Sequence, residues 1–145
     1  MINHSKFIYI TYIRTTPERI WAAITNPHLT KQFWGYENIS DWKEGSPWKH
    51  VDNYNKRTVK LVGKILRITP KELILTWASP TNLEDSSQVT FKIKSIKEAV
   101  CLQVTHNNFK IGSKTPDMIK DGWPRVLSSM KSFLETGRAL ITWDQ

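Results

Sequence analysis

His106 is the first residue in this sequence whose type and position could do chemistry. It follows Val100, Leu102 and Val104 in strand phase, so an imidazole ends an otherwise apolar face. An imidazole can serve there as a general acid or base. The commoner use of a lone histidine on such a face is as a hydrogen-bonded structural group. His4, His28 and His50 are scattered and lack ligand spacing, so no metal site is expected. Cys101 has the opposite phase to Leu102 and Val104 and no paired histidine, which suits an inert small residue. Asp41 and Glu44 lie close together, but beside Trp42 and Lys43 in a turn they read as a cap or as solvated acids. There is no nucleophile elbow, phosphate loop or dinucleotide fingerprint. No catalytic residue and no cofactor is assigned on this basis.

The aromatic residues carry more information. Trp34, Trp48, Trp77 and Trp123 fall at element ends or on apolar faces, where they could wall a pocket with Phe33, Phe91, Met130 and Phe133. Aromatic rings supply large contact area, and methionine adapts to irregular shapes. Tyr9 and His106 would add a few polar groups to such a lining. A mostly apolar pocket of this kind suits a small hydrophobic or aromatic molecule. The same ten side chains could instead simply fill a core.

These residues must be positioned by the elements around them. Lys6 to Arg14 is rich in β-branched and aromatic residues and reads as a strand, with Phe7, Tyr9, Thr11 and Ile13 on one face and Ile8, Ile10 and Tyr12 on the other. Thr16-Pro17-Glu18 is a helix start, and Ile20, Trp21 and Ile24 form that helix's apolar face. Asn26-Pro27 ends it and begins a second short helix to about Phe33. Strands are then expected over about Glu37 to Asp41, from near Trp48, over Val59 to Ile68 with a bend at Gly63, and over Leu73 to Trp77. Ser87 to Lys94 alternates cleanly, and Ala99 to His106 follows it. Asn53 to Lys56 reads as a polar turn, and Ser79 to Asp85 and Asn107 to Pro116 as polar loops. A long helix closes the chain, from about Met118 to Thr136, with Asp121 as its cap, Pro124 in its first turn and Gly137 at its end. Its apolar stripe is Trp123, Val126, Leu127, Met130, Phe133 and Leu134. Consecutive strands joined by short turns favour one antiparallel sheet of about six strands. A single helix does not fill the concave side of such a sheet, which leaves room for a cavity.

The totals agree with one α+β domain over 145 residues. One cysteine excludes an internal disulfide framework. There is no signal-peptide pattern at the start and no apolar run long enough to span a bilayer, so a cytoplasmic protein without membrane insertion is expected. The net charge of +8 is densest over Lys43, Lys49, Lys56, Arg57, Lys60, Lys64, Arg67 and Lys71, against Glu44 and Asp52. No nucleic-acid motif accompanies these residues, so nucleic acid is not expected as a partner. They suit a solvated face, or a docking surface for an acidic protein.

The order of elements resembles the helix-grip fold of the START and Bet v 1 superfamily. More closely, the chain resembles the activator of Hsp90 ATPase homologue 1-like family. The residues that carry the likeness are Thr16 to Trp21 with Ala23 to Pro27, Phe33-Trp34, Ser40 to Trp42 with Gly45, Gly63 to Leu66 with Pro70, Leu73 and Thr76-Trp77, Val89 to Phe91, Thr105-His106, Gly122 to Pro124, and Leu127 with Leu134 to Gly137. Gly45-Ser46 departs from the pair of glycines many relatives carry there, which bears on turn geometry. The resemblance implies a curved sheet wrapped around a long C-terminal helix, and a cavity for an apolar ligand. It leaves three functions open: binding of a hydrophobic or aromatic molecule, docking to an Hsp90-type chaperone in a stress response, and cyclase-, dehydratase- or hydrolase-like chemistry using His106. A homodimer through a sheet edge or aromatic surface is a further expectation.

Overall fold

The computed structural model describes residues 2–52 and 58–143. The expected turn at Asn53 to Lys56 lies outside them. The elements in chain order are β1 (Ile2–Asn3), β2 (Phe7–Ile13), α1 (Pro17–Thr25), α2 (Pro27–Trp34), β3 (Tyr36–Ser40), β4 (Pro47–Asp52), β5 (Val59–Thr69), β6 (Glu72–Ser79), β7 (Asn82–Ile96), β8 (Ala99–Asn107), β9 (Phe109–Lys110) and α3 (Thr115–Thr136). Seven strands form one antiparallel sheet in the order β2-β8-β7-β6-β5-β4-β3, and β1 pairs with β9 beside it. This is the α+β helix-grip arrangement, with one strand more than expected in the main sheet.

Local chemistry explains the chain reversals. Thr16 Oγ1 accepts the Arg19 N–H at 3.3 Å, and Pro17 occupies the first turn of α1, where a missing N–H costs nothing. Asn26 ends α1 and caps α2, its Oδ1 accepting the His28 N–H at 2.9 Å. Gly35 then closes α2 in the left-handed region, at φ 80°.

In β2, Ile13 is buried while Ile8, Ile10 and Tyr12 point outward and are exposed. The register matches Phe7 to His106 and Tyr9 to Val104, so the inward face of β2 continues that of β8. β2 is an edge strand, and α3 covers part of its free edge. Lys131 Nζ donates to Tyr12 O at 2.5 Å, and the Arg14 N–H donates to Glu135 Oε2 at 2.9 Å.

Three expected boundaries are corrected. The stretch from Ser79 to Asp85 is mostly strand: β7 begins at Asn82 after a tight turn and runs 15 residues. The loop after β8 contains β9, anchored by Phe109, which is buried against the His106 ring at 5.0 Å. Most consequential, α3 begins at Thr115, with Lys114 rather than Asp121 at its N-cap position. Pro116 occupies its first turn and Pro124 lies inside it. Pro124 has no N–H for the Lys120 carbonyl, so one rung of the helical ladder is missing there. Asp121, freed from capping, pairs with Arg125 at 3.1 Å.

Gly63 shows how β5 and β6 tolerate an interruption. Trp48 on β4 lies opposite Gly63 on β5. Its indole N–H crosses β5 and donates to Thr76 O on β6 at 2.7 Å. A Cβ on residue 63 would stand 1.9 Å from that carbonyl oxygen and 2.5 Å from the indole nitrogen. The register then shifts by one residue between Ile65 and Arg67. Gly63→Ala should therefore destabilise the fold by about 3 kcal/mol, combining overpacking with loss of the indole bond. Trp48→Phe should cost about 1–2 kcal/mol, from the lost indole bond to Thr76 O and the smaller buried ring. Urea titration of both variants measures the difference, and equal losses would refute the steric account.

Candidate functional site

Between the sheet and the N-terminal half of α3 lies a cavity of about 620 Å³. From α3, Thr115, Met118, Ile119, Gly122, Trp123 and Val126 face it, at the three- and four-residue spacing of one helix face. Opposite stand Trp34 from α2, Tyr36 from β3, His50 from β4, Leu61 from β5 and Trp77 and Ala78 from β6. Lys60, Ser79, Asn82, Asp85 and Lys114 complete the lining with polar groups. Asp85 Oδ2 accepts from Ser113 Oγ at 3.0 Å, and Ser113 Oγ in turn accepts the Thr115 N–H at 3.0 Å. That pair of bonds joins the start of β7 to the start of α3.

Three of the ten residues expected at a ligand site line this cavity. Trp123 stands 5.7 Å from Trp34 and 5.4 Å from Trp77, measured between ring centroids, and the three indoles form one wall. Trp48, Phe91 and His106 lie behind it, at 5.8 Å from Trp77, 5.8 Å from Trp123 and 5.3 Å from Trp77. Phe33 and Phe133 meet each other at 6.1 Å, and Met130 is buried in the core. Tyr9 is half-buried against the core on β2. None of these last four faces the cavity.

His106 is fully buried, and both ring nitrogens are engaged. The Trp123 indole can only donate, so its 3.1 Å bond makes His106 Nδ1 the acceptor. Nε2 must then carry the proton and donate to Ser87 Oγ at 2.7 Å. The Ser87 hydroxyl is left to donate to Trp77 O at 3.4 Å. Protonating Nδ1 would set two donors against each other. Burial lowers the His106 pKa from 6.5 to about 3.

His50 is the residue sequence reasoning passed over. Asn38 Nδ2 donates to Ile24 O at 3.0 Å, which turns Asn38 Oδ1 toward His50 Nδ1 at 2.6 Å. His50 Nδ1 therefore carries the proton and Nε2 keeps a lone pair. The ring stacks on Tyr36 at 4.5 Å and 18°, and meets Trp34 at 4.6 Å. Burial lowers its pKa to about 3, against a smaller opposing pull from the Asp52 charge. Burial, with the Asp52 charge second, raises that of Tyr36. A signal was present: Trp48 and His50 share one face of β4, so a buried Trp48 implies a buried His50. Among the described residues, no group of three or more His, Cys, Asp or Glu side chains could hold a metal ion.

These two histidines set a pH dependence. Their folded pKa values lie below the unfolded 6.5, so the unfolded chain binds the extra protons between about pH 3 and 6.5. The stability they confer is complete above that window and is lost as pH falls through it. By about pH 5 the loss should be roughly 2 kcal/mol for each histidine. Denaturant titrations across this range, with imidazole nitrogen NMR, test the point. A ring that titrates near its ordinary pKa would refute it for that residue.

The fold recurs in solved structures. The Aha1 dimer from Colwellia psychrerythraea is 20% identical, with TM-score 0.76, over 93% of this chain and 99% of that one. An Hsp90 activator from Plasmodium falciparum is 24% identical, with TM-score 0.73, over 89% and 95%. CalU16 from Micromonospora echinospora is 19% identical, with TM-score 0.72, over 88% and 73%. No curated protein matches this sequence. The model of the family described as "Activator of Hsp90 ATPase homolog 1-like protein" matches residues 14–135, and the chain belongs to that family.

Proposed function

We propose that this protein binds a small apolar or aromatic molecule in the cavity between the sheet and α3. The observation that carries the reading is the wall of Trp34, Trp77 and Trp123 around about 620 Å³, a volume suited to a molecule of two or three rings. Binding rather than turnover suits the two histidines. His106 has no free nitrogen, and a neutral His50 with its pKa near 3 is a weak base at physiological pH. Gly122 offers the test. It lines the cavity, and a Cβ there meets nothing within 4 Å. Gly122→Phe should fill the cavity and weaken binding of a naphthalene-type probe at least tenfold. Its thermal midpoint should hold or rise, because glycine is a poor helix former, by about 1 kcal/mol relative to alanine. Unchanged probe affinity in a folded variant would count against this site.

A second reading is docking to an Hsp90-type chaperone. Family membership favours it, as does the basic surface: Lys43, Lys49, Lys60 and Lys64 are all exposed on or beside β4 and β5. Contacts between exposed charges separated by more than a Debye length, about 10 Å at 0.1 M salt, are largely screened. Binding to an Hsp90 should therefore weaken severalfold between low salt and about 0.3 M, and further in a Lys60→Glu, Lys64→Glu variant. Salt-indifferent binding, or none, would remove this reading.

A further inference from the structure

The His50 ring lines the cavity and carries a hydrogen-bond acceptor, Nε2, that no described residue uses. Its Nδ1–H is committed to Asn38, whose own orientation is fixed by Ile24 O. Among the described residues, no group donates to Nε2. Nor is Nε2 one of the sealed, partnerless buried atoms, which among the described residues are Thr15 Oγ1 and Asn107 Oδ1. A ring only 3% exposed, lining the cavity, with an unsealed and unpaired nitrogen, has that nitrogen open to the cavity space. The surroundings hold the ring in place: Tyr36 stacks on it, and Trp34 meets it at a tilt. Once a ligand fills the cavity and displaces water from this acceptor, a ligand that supplies an O–H keeps it paired and one that cannot leaves it unpaired.

The charges point the same way. Burial keeps His50 neutral, so Nε2 is an acceptor and not a donor across the physiological range. A carboxylate or carbonyl oxygen would face that lone pair with its own. An alcohol or phenol would complement it. The indole wall selects a flat ring system, and Lys60, Lys114 and Asp85 are the charged residues of the lining.

We infer that the cavity takes a hydroxyl-bearing aromatic molecule, oriented by donation of its hydroxyl to His50 Nε2. The inference rests on the cavity being a binding site, and the two claims separate in one experiment. The probes are β-naphthol and β-methylnaphthalene, which match in ring and size and differ in the donor. Each is titrated into the intact protein labelled with nitrogen isotope at histidine. Naphthol should bind at least about tenfold more tightly, the discrimination expected when a buried acceptor is left unpaired by the methyl compound. The unprotonated Nε2 resonance of His50 should move upfield with naphthol and stay in place with methylnaphthalene. His50→Phe, which keeps a ring in the same stack, should bind both probes about equally. Equal binding to the unaltered protein would overturn the hydroxyl inference and leave the cavity reading standing. Preference for naphthol without a shift at His50 would also overturn it, since the hydroxyl would then be read elsewhere. Failure of both probes to bind would overturn the cavity reading itself. Because the probe pair and the resonance are read on the unaltered chain, a poorly folding His50→Phe would not blunt the test.

Discussion

The bond from the Trp123 indole to His106 is the point on which the structure turns. It joins α3 to the inner face of the sheet with a buried donor and a buried acceptor, neither of which has water as an alternative. Through Ser87 the chain of donors continues to the backbone of β6, so three strands and one helix share a single direction of hydrogen bonding. The indole cannot accept and Nδ1 cannot donate, so the polarity of the chain admits one arrangement. Trp123 thereby sits at a fixed height above the sheet, and its other contacts, with Trp34, Trp77 and Phe91, follow from that height. The cavity is the space left when a helix is held there by a bulky ring.

Trp48 plays a comparable part at the other end of the sheet. Where β5 narrows to a glycine, a side chain from β4 supplies the donor that Thr76 O takes. The sheet keeps its hydrogen bonding while β5 bends. Both tryptophans thus act as hydrogen-bonding struts as well as bulk, which is why their number in so small a chain fits the fold. His50 from β4 and Leu61 from β5 line the same space as Trp77.

Much of this was legible in the residues. Strand phase placed Val100, Leu102, Val104 and His106 inward, and all four are buried. Thr16, Asn26 and Gly35 mark their chain reversals by side-chain acceptors or by freedom at positive φ, and these are local effects that a short window of sequence carries. The start of α3 was not legible, because Pro124 reads as a first-turn residue when seen alone. Only the packing of Ile119 and Trp123 on the sheet carries the helix back through it to Thr115. The cavity was legible as an aromatic wall and not as a place. Whether a tryptophan lines space or fills it depends on what stands opposite, as Trp77 and Trp48 show. His50 was overlooked for a similar reason: its importance lies in which nitrogen Asn38 leaves free.

The missing rung at Pro124 has a mechanical meaning. Residues 126–136 of α3 are pinned by core contacts and by the ties of Lys131 and Glu135 to the edge of β2. Residues 115–123 form one side of the cavity and are joined to that anchored half across a turn with one hydrogen bond fewer. The helical ladder is therefore weakest at a single joint beside the cavity. Ile119 and Trp123 hold the first segment to the sheet through the core and the His106 bond, so any give in the helix falls between two anchored points and not at a loose end.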